Sequence, residues 1–470
     1  MNYLTATDIA NAITTNKFSS AAVTEHYLQR IEQHNPQLNA YVDVYRKQAM
    51  AQAQQRDQDS GPRGSLHGVP VSIKECYLYE GTPTTLNYPP LKNYVGKQTS
   101  PLVQRLIDAG AVLLGKTNVP QLLADSQTFG PLYPTANNPF DLSCTPGGST
   151  GGGAAALAAD LCALELGSDI GGSIRNPSAY CGLFGLKPTE NGHSHDGHVP
   201  PLPEQELGFS VMNCTGPLAR SPEDLELACR VLYPEQQLQL ESKPLSGYTF
   251  GYFDTFHGLQ AGQSVQAGLG KLKQLVEAQG ATLKPITIDA QLAKRVMELW
   301  AELFGFSIAQ NLPWLIRKIF YFKFRPALKD SSLDLIPALQ RGLSLDFMHF
   351  SRALHRRREV IDELNRCFAG CDAVLSPTAL GPAFTHNHKH QRIALDGEQI
   401  PYMDYCFPFV ALFNLSGQPV LTVPTGCDAK GLPIGISISA LHHHEGRLLH
   451  IGKLLAQSGL QFSPPELSNE

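Results

Sequence analysis

Apolar residues fall at helical spacing in "SSAAVTEHYLQRIEQH" (19–34), where Ala22, Tyr27, Ile31 and related positions recur behind a serine cap. An amphipathic helix is expected there, ended by Asn35-Pro36. "GVPVSIKE" (68–75) is a short apolar run leaving a Gly-Pro turn, the pattern of a buried strand that carries Lys74 at its end, facing inward. From there the period alternates. "SPLVQRLIDAG" (100–110) is helical and closes on Gly110, "AVLLGKT" (111–117) is a strand, and "GGGAAALAADLC" (151–162) is a helix of small residues. "GYTFGYF" (247–253) precedes the helix "QSVQAGLGKLKQLVEAQG", which precedes the strand "ATLKPITI". "CDAVLSPT" and "QPVLTVPT" are further strands, and "GRLLHIGKLLAQ" is a closing helix.

Strand, helix and strand in succession imply parallel crossovers. The expected fold is therefore α/β: one large domain, 1–470, whose central mixed, mostly parallel sheet is covered by helices on both faces. No internal repeat or low-complexity linker divides the chain. Residues 296–328, with "PWLIRKIFYFKFRP", break the rhythm with an aromatic and basic run. It reads as a core-packing helix with solvated charges, a lid over an apolar pocket, or a surface touching lipid.

Composition narrows the classes. With 42% hydrophobic and 17% charged residues over 470 positions, the chain can bury a large core. A net charge of −5 and a pI near 6.3 argue against a nucleic-acid partner. "MNYLTATDIA" has no signal-peptide pattern, and the most apolar stretch, "GGGAAALAADLCALELG", is interrupted by Asp160 and Glu165 and too short to span a bilayer. A cytoplasmic protein without stable membrane insertion is expected, its ten scattered cysteines reduced, with Cys367 and Cys371 as structural helix neighbours. A homodimer stays open.

The histidine runs "HSHDGH" (His193, His195, His198), "HNHKH" (His386, His388, His390) and "HHH" (His442, His443, His444) lack metal-site spacing and a carboxylate partner, so no metal is expected. Two glycine-rich stretches, 145–159 and 167–189, contain neither GxxxxGK[ST] nor the dinucleotide fingerprint, which disfavours a nucleotide cofactor; none is expected.

Acyl transfer fits these stretches better. In "SDIGGSIRNPS" (168–178), Ile170, Gly171 and Gly172 allow successive backbone N–H groups to converge beside Ser173 and hold a developing oxyanion, though a tight turn with a structural serine would look the same. The GxSxG elbow is absent, so a Ser-His-Asp triad is not indicated. A serine without histidine needs another base, and a buried lysine kept neutral can serve; Lys74 is the best-placed candidate.

Taken together, "SIK" with Lys74, "PGGSTGGG" with Ser149 and "DIGGSIR" with Ser173, followed by "CGLFGLKPT", resemble the amidase signature family of serine hydrolases, which includes fatty acid amide hydrolase. The separations, 75 residues from Lys74 to Ser149 and 24 from Ser149 to Ser173, match that family too. The resemblance is strong from Gly68 to Thr189, takes in "GKTNVPQ" and "NNPFD", and continues weakly near the C-terminus. It implies hydrolysis of a carboxylic amide through a Ser acyl-enzyme: Lys74 as base, Ser149 as bridging serine after a cis peptide, Ser173 as nucleophile. Asp169 and Arg175 are assigned supporting roles around the oxyanion loop, with a plain ion pair as the other reading. Thr150 supports the site where many relatives carry a second serine. The usual continuation after "GLKPT" is replaced by "ENGHSHDGHVP", which leaves the local loop open.

The expected partner is a small-molecule amide, with an apolar acyl or aryl group implied by aromatic residues in 296–328 and in "YMDYCFPFVALF" (402–413). The alternatives are the transamidating subunit of an aminoacyl-tRNA amidotransferase and a non-catalytic binding protein on the same fold. "LLADSQTFGPLYPT" (122–135) lacks the glycine- and serine-rich character of those subunits.

Overall fold

Eleven strands share one sheet: β1 (Tyr41–Val44), β2 (Pro70–Lys74), β3 (Val112–Thr117), β4 (Leu164–Asp169), β5 (Phe184–Lys187), β6 (Cys214–Ala219), β7 (Thr249–Tyr252), β8 (Thr282–Pro285), β9 (Ala373–Pro377), β10 (Val420–Cys427) and β11 (Pro433–Ser439). Their spatial order is β1-β3-β2-β4-β6-β5-β10-β11-β9-β7-β8. The computed structural model describes residues 1–192, 195–199, 210–236, 238–310, 312–344 and 346–467, apart from the side chains of 320, 323 and 324. Each residue of β2, β3 and β4 is buried, as strands covered by helices on both faces must be.

The sheet is mixed, as expected, but its balance differs from the sequence reading. Only β2–β3, β2–β4, β7–β8 and β7–β9 are parallel; the other six junctions are antiparallel. Crossover helices make the two wings parallel, whereas β10 turns straight back into β11 and β6 enters between β4 and β5 with reversed direction. Alternation of helix and strand does not reveal which later strand wedges between two earlier ones.

Element ends also shift. The first amphipathic helix runs Ser20–Leu38 with Pro36 inside its final turn, so Asn35-Pro36 does not end it; Asn39, left-handed at φ 50°, does. Proline at the end of a helix removes one intrahelical bond rather than a whole turn. The small-residue helix spans Gly151–Ala158, and the strand foreseen in "ATLKPITI" is Thr282–Pro285. The helix Phe347–Cys367 stops at Cys367, leaving Cys371 beyond its end rather than one helical turn along it. All ten cysteines are unpaired.

Two apolar clusters flank the sheet. One joins the N-terminal helices, Gln263–Ala278 and Glu445–Gln457 to the strands; the other gathers Ala290–Ala309, Ile336–Leu343, Tyr402–Cys406 and Pro408–Ser416. Residues 296–328 are divided between roles. Ala290–Ala309 is a core helix with Trp300 buried, whereas Trp314–Asp330 leaves Trp314, Leu315, Ile319 and Phe322 exposed. No helix among the described residues is long and apolar enough to cross a membrane.

Candidate active site

The site forms where β2 and β4 end side by side. Strand alternation puts Ser72 and Lys74 on one face of β2, and parallel pairing of Ser72 with Glu165 brings that face against β4. After Asp169 the chain leaves β4 through Ile170–Ile174 and enters the short helix Arg175–Tyr180. The Gly148–Ser149 peptide is cis, and helix Gly151–Ala158 starts just beyond it. A Cβ at Gly148 would sit 2.6 Å from the carbonyl oxygens of Asp125 and Gln127, so only glycine lets that loop wrap the turn.

These turns bring the sequence candidates together. Lys74 is fully buried, and its Nζ donates to Ser149 Oγ at 2.8 Å and Ser168 Oγ at 2.9 Å, with Ser168 O at 3.4 Å. Burial pushes Lys74 down to about 8, against the pull of Cys76, Asp169 and Glu165. Thr150 ties the two loops: its N–H donates to Ser173 O at 3.2 Å and its Oγ1 to Ser168 O at 3.3 Å.

Asp169 and Arg175 form a buried bidentate pair, Nη2 to Oδ1 at 2.9 Å and Nε to Oδ2 at 3.0 Å. Burial alone would raise Asp169. The Arg175 guanidinium, Asn414 and the Ile174 amide instead hold its carboxyl well below the usual carboxylate range. Arg175 also donates to Val410 O and Asn414 Oδ1, fastening the loop to helix Pro408–Ser416.

The oxyanion loop departs from expectation at one position. The Gly172 amide donates to Asp169 Oδ1 at 2.9 Å and is committed there rather than open to a ligand. No hydrogen bond among the described residues occupies the Gly171 and Ser173 amides. The Ile170 carbonyl accepts from Trp300 Nε1 at 3.4 Å, a bond that leaves the Ile170 N–H uncommitted. Gly172 has φ +94°, and a Cβ there would meet Val410 Cγ2 at 2.8 Å. Gly172→Ala is expected to lower kcat for amide hydrolysis at least about tenfold at unchanged soluble yield, because the loop must shift to clear Val410.

Two cavities meet at Ser173. A narrow apolar slot of about 50 Å³ runs past Gly171, Trp300, Phe304, Leu335, Met403 and Phe407. A roomier chamber of about 370 Å³, shared by Ser149, Ser168 and Ser173, has His195, His198 and Asn213 on its wall. Trp300 and Phe304 of the first flagged stretch and Tyr402 and Phe407 of the second thus line the slot. Sequence reasoning missed Ser168, although it lies in the quoted motif, and Asn414, which reaches the loop from far along the chain without any local signal; Trp300 and Val410 fall in the two stretches singled out for an apolar group, but their contacts with the loop were not foreseen.

The histidine runs separate. His193 lies outside the described residues; His195 and His198 line the chamber; His390 binds Asp125 Oδ2 at 2.6 Å; His442 and His444 contact carbonyl oxygens. No group of three or more metal-ligating side chains converges among the described residues.

Comparison with known proteins identifies the family and the fold. The sequence profile of the family described as Amidase matches residues 22–449. A glutamyl-tRNA(Gln) amidotransferase subunit of Pseudomonas aeruginosa (strain LESB58) is 31% identical, covering 96% of each chain. Among solved structures, one described as a crystal structure of amidase superposes with a TM-score of 0.80 at 25% identity, covering 97% of this chain and 99% of the other. Fatty acid amide hydrolase shares the fold, with a TM-score of 0.81 at 22% identity over 98% of this chain and 86% of its own. The chain belongs to the amidase family, whose members hydrolyse carbon–nitrogen bonds of amides.

Proposed function

We propose that the chain hydrolyses carboxylic amides bearing an apolar acyl or aryl group, through a Ser173 acyl-enzyme with Ser149 and Lys74 as its proton relay. The observation that carries this reading is the buried 2.8 Å bond between Lys74 Nζ and Ser149 Oγ, at a chamber shared with Ser173. An ammonium has only donors, so neutral Lys74 is the form that accepts the Ser149 proton. Ser149 in turn takes the proton of Ser173 as its Oγ attacks the carbonyl, and the oxyanion meets the amides of Ile170, Gly171 and Ser173. Run backward, the relay protonates the leaving nitrogen, since an amide anion is a very poor leaving group. Water then repeats attack on the acyl-enzyme.

The relay also orients the substrate. Ser149 opens on the roomier chamber, so the leaving amine belongs there, and the acyl group belongs in the slot between Trp300, Phe304 and Phe407. A fluorophosphonate is expected to label Ser173, mapped by peptide mass spectrometry. Aryl and long-chain amides are expected to exceed acetamide in kcat/KM by about 10²-fold or more, since each buried methylene contributes roughly 0.8 kcal/mol. A label elsewhere, or a preference for acetamide, overturns this reading.

The 31% identity to an amidotransferase component favours a second reading, in which this chain is the transamidating subunit of an aminoacyl-tRNA amidotransferase. ATP-dependent transamidation with copurifying subunits is its signature. Hydrolysis of aryl amides by the isolated chain is the signature of the first.

A further inference from the structure

One buried carboxyl beside the site has no part in the relay. Glu165 of β4 is fully buried, accepts from Ser72 Oγ, and accepts from Thr117 Oγ1 at 2.7 Å. The fold makes room for it: a Cβ at Gly153, in the helix that follows Ser149, would collide with Glu165 Oε1. Three strands and a helix are thus shaped around a group that forms no ion pair among the described residues.

Its position supplies a reason. Glu165 pairs with Ser72 across the sheet, and Lys74 stands two residues beyond Ser72 on the same face. That register makes Glu165 and Lys74 diagonal neighbours on one face of the sheet, where buried charges act on each other strongly. The other titratable groups facing the two are quiet near neutrality. Burial pushes the thiols of Cys76 and Cys162 up to about 12, and the hydroxyls of Tyr41 and Tyr77 well up. Asp169 is consumed by Arg175. Glu165 is different: burial raises it to about 7, against the bonds from Ser72 and Thr117 and the charge of Lys74.

We propose that Glu165 is a positioning residue whose carboxylate charge, acting across the sheet without touching substrate, sets the pH at which Lys74 becomes an unprotonated base. The inference rests on the reading of Lys74 as the base. A negative Glu165 favours the ammonium and holds the base in reserve; a neutral one releases it. The two groups titrate as a pair.

Glu165→Gln tests this. Removing the negative charge makes Lys74 give up its proton at lower pH, so the acid limb of kcat/KM is expected to move down by about one pH unit. A side-chain ¹⁵N titration of Lys74, its resonance assigned by loss in Lys74→Ala, is expected to move by the same amount. If Glu165→Gln does not fold, Thr117→Val removes one bond from the carboxylate, favours its neutral form and moves both readouts the same way by less. A folded Glu165→Gln, or Thr117→Val, with an unmoved Lys74 titration overturns the proposal. A moved titration with an unmoved acid limb upholds the coupling and overturns instead the role of Lys74 as base.

Discussion

Ser173→Ala is expected to lower kcat/KM for an aryl amide by about 10⁴-fold or more, and Lys74→Ala by about 10²–10⁴-fold at pH 7. In the proposed relay the three residues act as a unit, since Lys74 bonds Ser149 and Ser168 and has no hydrogen bond to Ser173 among the described residues. Lys74→Ala/Ser173→Ala should therefore be little worse than Ser173→Ala alone, and Ser149→Ala should resemble Lys74→Ala. The pH dependence has a definite sign. With Lys74 at about 8 and its neutral form the active one, kcat/KM should fall about tenfold per pH unit below that value, and Lys74→Ala should abolish this limb. A pH–rate profile of the folded variants checks all of these. Near-full activity in Lys74→Ala at neutral pH would remove lysine from the mechanism.

Arg175→Met should be the most destabilising single change at the site, at about 3–5 kcal/mol, because it strands the fully buried Asp169 carboxylate without its cation. The Gly172 and Ile174 amides and Asn414 would still donate to Asp169, but neutral donors offset burial less than a bidentate guanidinium. Neutralising the stranded charge should restore part of the loss, so Asp169→Asn/Arg175→Met is expected to unfold at higher urea than Arg175→Met. Urea unfolding with labelling of Ser173 separates stability from site geometry. An unchanged midpoint in Arg175→Met would mean that the pair is dispensable. Asp169 also sets a pH limit. Its folded form holds protons more weakly than the unfolded chain, so its stabilisation is present above the ordinary carboxylate range and is lost as pH falls below it.

The same pair shows what local sequence conveys. "DIGGSIR" placed an acid and an arginine around the loop and left their tie as one of two readings. The structure places an ion pair there, and adds that the carboxylate claims the Gly172 amide, one of the groups assigned to the oxyanion. Backbone donors look alike in sequence; which of them a nearby carboxylate takes depends on a φ of +94° and the approach of Val410. Ser168 was passed over for a related reason. It adjoins Asp169 at the end of a strand, where no periodicity tells a structural hydroxyl from one 2.9 Å from Lys74 Nζ.

Hydrophobic patterning determined that β2 and β3 are buried strands and that Lys74 ends one of them, because an apolar run can satisfy its backbone only inside a covered sheet; β4, with Glu165, Ser168 and Asp169 in it, carried no such signal. The motifs around Lys74, Ser149 and Ser173 carried the resemblance to the amidase signature family, which the match to that family bears out, because short glycine- and hydroxyl-rich motifs are legible residue by residue. Tertiary structure alone decided the antiparallel majority of the sheet, the joining of Arg175 to Asn414, and the slot that Trp300 and Phe407 make over Gly171. Each of these joins segments more than 100 residues apart or depends on which strand enters between two others. Such choices are set by whole-chain packing, not by any pattern a local stretch can carry.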